Sequence, residues 1–297
     1  PFGHTDGTLA TDSTFTYNTG TDTLAVANLT LGTGGALGAS TATTPAANDN
    51  DTSVATTAYV QGEISGLGGG SVDIASSRQN VFLWDEFIGV SSSSTFGALG
   101  LLREVTGGTV GSGLPTGTTS ASGVMNMYTS TGTTNKVGVM ANASAFSIIF
   151  GGGTYVWETR VNIETLPATT TNEYVGRLGF LDAISTQPND GCYFQFNAAN
   201  ANWYAVCRAA GTETATSTGV AVTNNTWIKL RIEVNAAASS VLFYIDGTLV
   251  RTETANIPSG ASRSTSVGAG FIKSTGSVDN DFFFDYMGLE IGLTSAR

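Results

Sequence analysis

This 297-residue chain is poor in the residues that carry most enzyme chemistry: one histidine, two cysteines and twelve basic side chains. The lone histidine, His4, excludes a histidine-built zinc site, and a Ser-His-Asp triad cannot be assembled from the long C-terminal part. Twelve Lys plus Arg against 23 Asp plus Glu give a net charge of −11. A nucleic-acid surface needs a basic stripe that displaces counterions, and none is present. An anionic membrane surface would repel the chain as well. No apolar run approaches the ~20 residues that span a bilayer. Two cysteines are too few for a disulfide framework. Charged residues make up 12%, about half the usual share. Neutral or weakly charged partners, glycans among them, are left.

What the chain does have is 41% hydrophobic residues, enough for a core, together with 38 glycines and much Thr, Ser and Asn. That mixture suits strands and tight turns and suits helices poorly. Three parts follow: a thin β-rich stem over 1–43, a short helical neck with a Gly-rich linker over 44–71, and a large β domain over 72–297. In the stem, Phe15 to Val26 reads as strand, turn and strand, with Asn18, Gly20 and Asp22 at the turn. A lone hairpin is marginal in water, so the stem needs identical neighbours or a preceding extension. In the neck, a helix capped near Asn50 to Thr52 would place Val60, Ile64 and Leu67 on one apolar edge. Three such edges can meet on a threefold axis; the alternative is a linker with a frayed helical turn. Gly68-Gly69-Gly70-Ser71 then forms a flexible link.

The run Asn50-Asp51-Thr52-Ser53-Val54-Ala55-Thr56-Thr57-Ala58-Tyr59-Val60 resembles a segment that recurs in tailed-bacteriophage fibre proteins. The stretches Asp6 to Tyr17 and Thr23 to Val26 are similar to a short β repeat of phage fibre shafts. The resemblance covers about the first quarter of the chain. It implies a virion fibre, normally a homotrimer, joined to other virion proteins through its N-terminal side and extracellular after release.

Beyond Val72, strand candidates alternate with Gly, Asn, Ser and Pro turns. In Trp227 to Val234, Ile228, Leu230, Ile232 and Val234 face one way, while Lys229, Arg231 and Glu233 face the other. Such alternation belongs to an antiparallel sandwich with one dry and one wet face. Val241 to Val250 carries an Asp246-Gly247 turn, a strong hairpin signal. The succession Trp227-x-x-Leu230-x-Ile232, a strand ending in Asp-Gly, and a closing strand Phe282 to Ile291 resembles the jelly roll of concanavalin A-like lectins and laminin G-type domains. That resemblance implies an antiparallel jelly-roll β-sandwich head, with Leu83 to Phe87 as a first strand paired to the last. Spacing further predicts that Cys192 stands opposite Cys207 in a hairpin centred between Ala199 and Asn200, as a buried thiol pair or a disulfide.

No cofactor is expected. Calcium has two candidate oxygen sets, Asp279-Asn280-Asp281 and Asp182 with Asn189 and Asp190. Retaining glycanases need two carboxylates about 5–5.5 Å apart. Glucanases of the resembled fold carry them in a Glu-x-Asp-x-x-Glu-like run, which Asp85-Glu86 and Asp285 with Glu290 do not reproduce. The chain therefore reads as a binder rather than an enzyme, with Trp157 and Trp203 in the core. Aromatic faces stack on sugars, and Asn or Thr side chains bond hydroxyls. The candidate glycan-binding residues are Tyr204, Asn202, Asn200 and Tyr193; the oligomerisation residues are Val60, Ile64 and Leu67. The expected function is a phage tail fibre whose head binds host-surface glycan. The rivals are a structural, capsid-anchored fibre and a capsule depolymerase.

Overall fold

The computed structural model describes residues 15–18, 20–21, 23–26, 80–88, 94–115, 123–141 and 147–294. The expected neck helix, with Val60, Ile64 and Leu67, lies outside these residues. The chain divides into two units, Pro1–Ser71 and Val72–Arg297. In the first, β1 (Phe15–Asn18) and β2 (Thr23–Val26) form the antiparallel hairpin read from the sequence, with Phe15 opposite Val26.

The second unit is a jelly-roll β-sandwich. One sheet contains β4 (Thr95–Phe96), β5 (Leu101–Thr106), β8 (Lys136–Met140), β10 (Tyr174–Leu181), β11 (Gly191–Asn197), β12 (Asn200–Ala209), β13 (Thr212–Ala221) and β17 (Ser266–Lys273). Its order is β13-β12-β11-β10-β17-β8-β5-β4. The other contains β3 (Asn80–Asp85), β6 (Thr109–Ser112), β7 (Met125–Tyr128), β9 (Gly153–Ile163), β14 (Trp227–Val234), β15 (Val241–Ile245), β16 (Thr248–Glu253) and β18 (Asp281–Leu293). Its order is β16-β15-β14-β9-β18-β7-β6, and β3 also pairs with β18. All these pairings are antiparallel.

Alternation made the sandwich. The β14 side chains alternate between half-buried and buried along the whole strand, with Leu230 and Ile232 fully enclosed. The expected pairing of first and last strands is present: Trp84 stands opposite Gly288 and Val81 opposite Ile291. Between the sheets lie Trp157, Trp203, Phe194, Phe243, Phe271, Phe282 and Phe284, all buried. Phe271 from one sheet stacks on Phe282 of the other, ring centroids 3.5 Å apart and 6° from parallel. Side chains of this kind contribute about 3–5 kcal/mol each when truncated to alanine.

Turn chemistry fixes one hairpin and strand spacing places another. Asp246 and Gly247 both take positive φ (48° and 79°), the geometry of the mirror-image turn that matches strand twist. Cys192 is opposite Cys207, as spacing predicted, with sulfurs 3.1 Å apart and both thiols free and buried. The tip of that hairpin departs from expectation. The register shifts between Gln195 and Asn197, so Asn197 meets Asn200 and the turn falls on Ala198-Ala199. The residues absorbed by this irregularity lie between Asn200 and Tyr204 on β12, where no propensity signal marked them.

Candidate functional site

Tyr193, Tyr204 and Arg208 point away from the core, because Cys192, Phe194, Trp203, Ala205 and Cys207 fill it. The structure brings Tyr204 and Asn202 together. Tyr204 is half-buried and pairs across strands with Gln195 and Ser217, and the Asn202 amide donates to Ser217 Oγ at 3.3 Å. Asn200 stands apart at the hairpin tip, in a shallow pocket of about 280 Å³ formed with Leu166, Pro167, Ala199 and Val222.

Tyr193 corrects the sequence reading. Its ring is completely buried, packed with Leu181, Ile184 and Val206, and presents no face to a sugar. The reason is a floor of glycines. A side-chain carbon at Gly270 would lie 2.4 Å from the Ile184 carbonyl oxygen, and one at Gly138 would lie 3.0 Å from Ile184 Cδ1. The segment after β10 drops onto that floor, and Ile184 joins the apolar cluster that encloses Tyr193.

Around Tyr193 this face is polar. Arg177 Nε donates to Gln195 Oε1 at 2.9 Å, Arg208 pairs with Glu213 at 3.0 Å, and Gln187 donates to the same Glu213 oxygen at 3.0 Å. The Tyr193 hydroxyl and Arg208 Nε are enclosed without hydrogen-bond partners. Burial pushes the Tyr193 hydroxyl far above the ordinary phenol range, with the Glu213 charge adding to it. Burial also lowers the Arg177 guanidinium, against the attraction of Tyr193 and Glu213.

The opposite sheet carries a second, more exposed arrangement. β3 alternates Leu83 toward the core with Phe82 and Trp84 outward, 69% and 52% exposed. The Trp84 indole stacks on Tyr286, centroids 4.6 Å apart at 18°, and lies over Gly288. Phe82, Trp84, Gly288, Val156, Glu158, Arg231 and Glu290 line a shallow depression of about 100 Å³. Glu158 anchors it. Its carboxylate accepts from the Tyr286 hydroxyl at 2.8 Å and pairs with Lys229 at 2.9 Å and Arg231 at 3.5 Å. Burial and the Glu158 charge hold the Tyr286 hydroxyl protonated far above its usual range. Arg231 also pairs with Glu233 at 2.6 Å, and Arg160 with Asp285 at 3.1 Å. Half-exposed pairs of this kind contribute about 0–1 kcal/mol each, so they set the geometry of this face more than its stability. The sequence marks Leu83 to Phe87 as the first strand but assigns neither of its faces to solvent. The alternation that placed Leu83 inward was the available signal for Trp84.

The acidic turns serve the fold. Asp279 accepts from the Ser130 backbone at 2.7 Å and Asp281 from Asn126 at 3.1 Å; Asn280 is buried, bonded to Thr129 and Asn172. Asp182 accepts from the Asn189 backbone at 2.9 Å, and Asp190 from Ala210 and Arg263. Asp85, fully buried, accepts from the backbones of Phe87 and Leu99, both at 2.8 Å. Among the described residues, no three His, Cys, Asp or Glu side chains are grouped to hold a metal ion.

A family model described as SO2946-like, C-terminal domain, matches residues 100–283. The chain belongs to this family. Among solved structures, the SO2946-like chain is similar to SO2946 itself, a protein of unknown function from Shewanella oneidensis MR-1. The two share 15% identity over 86% of this chain and 99% of that one, with a TM-score of 0.51. An endo-1,3-beta-glucanase from Streptomyces sioyaensis aligns at 13% identity over 72% of this chain and 96% of its own, TM-score 0.48. Botulinum neurotoxin type C, whose cell entry depends on interaction with two ganglioside molecules, aligns at 13% identity over 74% and 49%, TM-score 0.44. At such identities these likenesses bear on fold. No curated protein matches the sequence.

Proposed function

We propose that this SO2946-like domain is a glycan-binding head, carried on a bacteriophage fibre, that docks on the host surface through Trp84. The observation that carries this reading is the exposed indole, backed by Tyr286 and ringed by Glu158, Arg231 and Glu290. An aromatic face offers the apolar side of a sugar ring a partner, and fixed polar groups beside it bond the hydroxyls. The phage assignment rests on the resemblance of residues 50–60 to fibre segments. A trimer would present three such faces, and modest single contacts would combine into useful avidity.

Binding without cleavage is part of the proposal. Glu158, Glu233 and Asp285 are engaged in ion pairs on this face, which favours a fixed recognition surface over a general acid paired with a free base.

The test is adsorption of the full-length protein to host cells and to a glycan array, with Trp84→Ala and Phe82→Ala beside the unaltered chain. Loss of an aromatic contact worth about 0.5–1.5 kcal/mol lowers single-site affinity by about two- to tenfold, and the avid interaction by more. Unchanged adsorption by both variants would remove this face from recognition. Release of reducing ends from host polysaccharide would replace binding with depolymerisation.

A further inference from the structure

We infer that the glycan held at Trp84 is an uncharged, linear chain of several sugars that lies across the strands and reaches a second subsite beside Asn235 and Ser240. This rests on the glycan reading of Trp84 and adds to it the length, path and charge of the ligand.

One cross-strand row sets the path. Phe82 is opposite Glu290, Glu290 opposite Val156, Val156 opposite Glu233, and Glu233 opposite Leu242. All five side chains are at least partly exposed on the same sheet face, because their strand neighbours point into the core. Two depressions adjoin along this row and share Val156. The first, of about 100 Å³, is the one beside Trp84. The second, of about 180 Å³, is lined by Thr154, Glu233, Asn235, Ser240 and Leu242. Neighbouring strands stand about 4.8 Å apart, so a row crossing from β3 to β15 is about 19 Å long, and a single sugar ring covers only a fraction of it.

The second depression has the chemistry of a sugar subsite. Val156 and Leu242 give its floor apolar surface for a ring face, and the far wall is polar. The Asn235 side chain is locked there: it donates to Ser239 Oγ at 2.9 Å and accepts from the Ser239 and Ser240 backbones at 2.8 and 3.1 Å. Its amide keeps a second hydrogen to give, and groups already held in place bind a hydroxyl at little ordering cost. The Ser240 hydroxyl has no hydrogen bond among the described residues and is free to serve a ligand. Charge selects against an acidic chain. Lys229 and Arg231, the cations nearest the row, are already held by Glu158 and Glu233. Glu290, exposed on the row itself, pairs with no cation among the described residues. A sugar carboxylate would meet that like charge and find no free partner.

Binding to the full-length protein is read by calorimetry with neutral fragments of host-surface polysaccharide, sorted from monosaccharide to hexasaccharide. A matched ladder has its primary hydroxyls oxidised to carboxylates. Affinity is expected to climb up to the tetrasaccharide, about the length of the row, and then level off. The oxidised ladder should bind at least about tenfold more weakly. Ser240→Ala should lower tetrasaccharide affinity by about two- to tenfold and spare the disaccharide, since one hydrogen bond is lost at the far end only. Thr154→Arg, at an exposed position, fills the second depression and should reduce the tetrasaccharide to the affinity of the disaccharide. Trp84→Ala should weaken every length. A disaccharide as tight as the tetrasaccharide, or unaltered tetrasaccharide binding in both far-end variants, overturns the extended path while Trp84 keeps its role. Equal or tighter binding of the oxidised ladder overturns the charge assignment. Unchanged binding in Trp84→Ala, or no binding by any fragment, overturns the glycan reading of this face and the path with it. Should Thr154→Arg fail to fold, Ser240→Ala and the length series decide.

Discussion

Replacing Gly288 by alanine tests the geometry of the Trp84 platform without touching any polar group. Gly288 lies on β18 directly opposite Trp84, and the indole ring rests over its α-carbon. A methyl group there would stand 2.3 Å from Trp84 Cε3 and 2.4 Å from Cζ3. Carbon atoms in contact sit about 3.5–4.0 Å apart, so the ring must lift by at least about 1 Å. Its other neighbour, Tyr286, is pinned through its hydroxyl to Glu158 and cannot follow. The 4.6 Å stack therefore opens. Lost stacking costs about 0.5–1.5 kcal/mol, and the lifted ring gives up part of its remaining burial; alanine returns a few tenths through its lower backbone entropy cost. The net expectation is about 1 kcal/mol of destabilisation in chemical denaturation, with the jelly roll intact. Tryptophan fluorescence should shift red, because Trp157 and Trp203 stay buried and only Trp84 gains water. Binding to host cells should fall as far as in Trp84→Ala. An unshifted spectrum with unchanged stability would mean that the indole does not rest on Gly288, and the platform would be refuted.

Three further outcomes are expected. Burial raises the Asp182 carboxyl, with Asp190 nearby adding to it and backbone hydrogen bonds opposing it. A carboxyl raised in the folded state costs stability when ionised, and that cost disappears as pH falls through the folded value. Asp182→Asn should therefore stabilise at pH 7 and become neutral in acid, in parallel denaturation series; a benefit that grows in acid contradicts the assignment. Burial, then the hydrogen bond with Cys207, pushes the Cys192 thiol well above its ordinary range, so native protein should resist thiol alkylation and react only in denaturant. Rapid labelling under native conditions would show that the hairpin opens. Val60→Asp with Ile64→Asp should leave the head folded and yield monomers by light scattering; a persistent trimer would end the helix-edge idea.

The fold was legible where one physical rule acted alone. Strict alternation in Trp227 to Val234 announced a half-wet antiparallel strand, and Asp246-Gly247 announced the hairpin of β15 and β16. The arithmetic that put Cys192 opposite Cys207 succeeded because the ladder between them is regular, and it failed at the turn because a bulge leaves no residue signature. Site reading suffered from a different blindness. Alternation put Tyr193 and Tyr204 on the same outward side but could not show that a distant segment, seated on Gly138 and Gly270, closes over one and spares the other. Trp84 was hidden in the opposite sense: a hydrophobic run near the start of a domain reads as core, although the alternation within it already set Trp84 on the face opposite Leu83.

The pairing of β3 along β18 settles where mechanical load would travel. Asn80, where the described head begins, and Trp84 lie on one short strand, about 13 Å apart when extended. A tether pulling at the first and a surface gripping the second would stretch that strand alone, in shear against five backbone partners on β18, Gly288 to Gly292. Tension between anchor and target would bypass the aromatic interior, leaving the rest of the sandwich slack while the link holds.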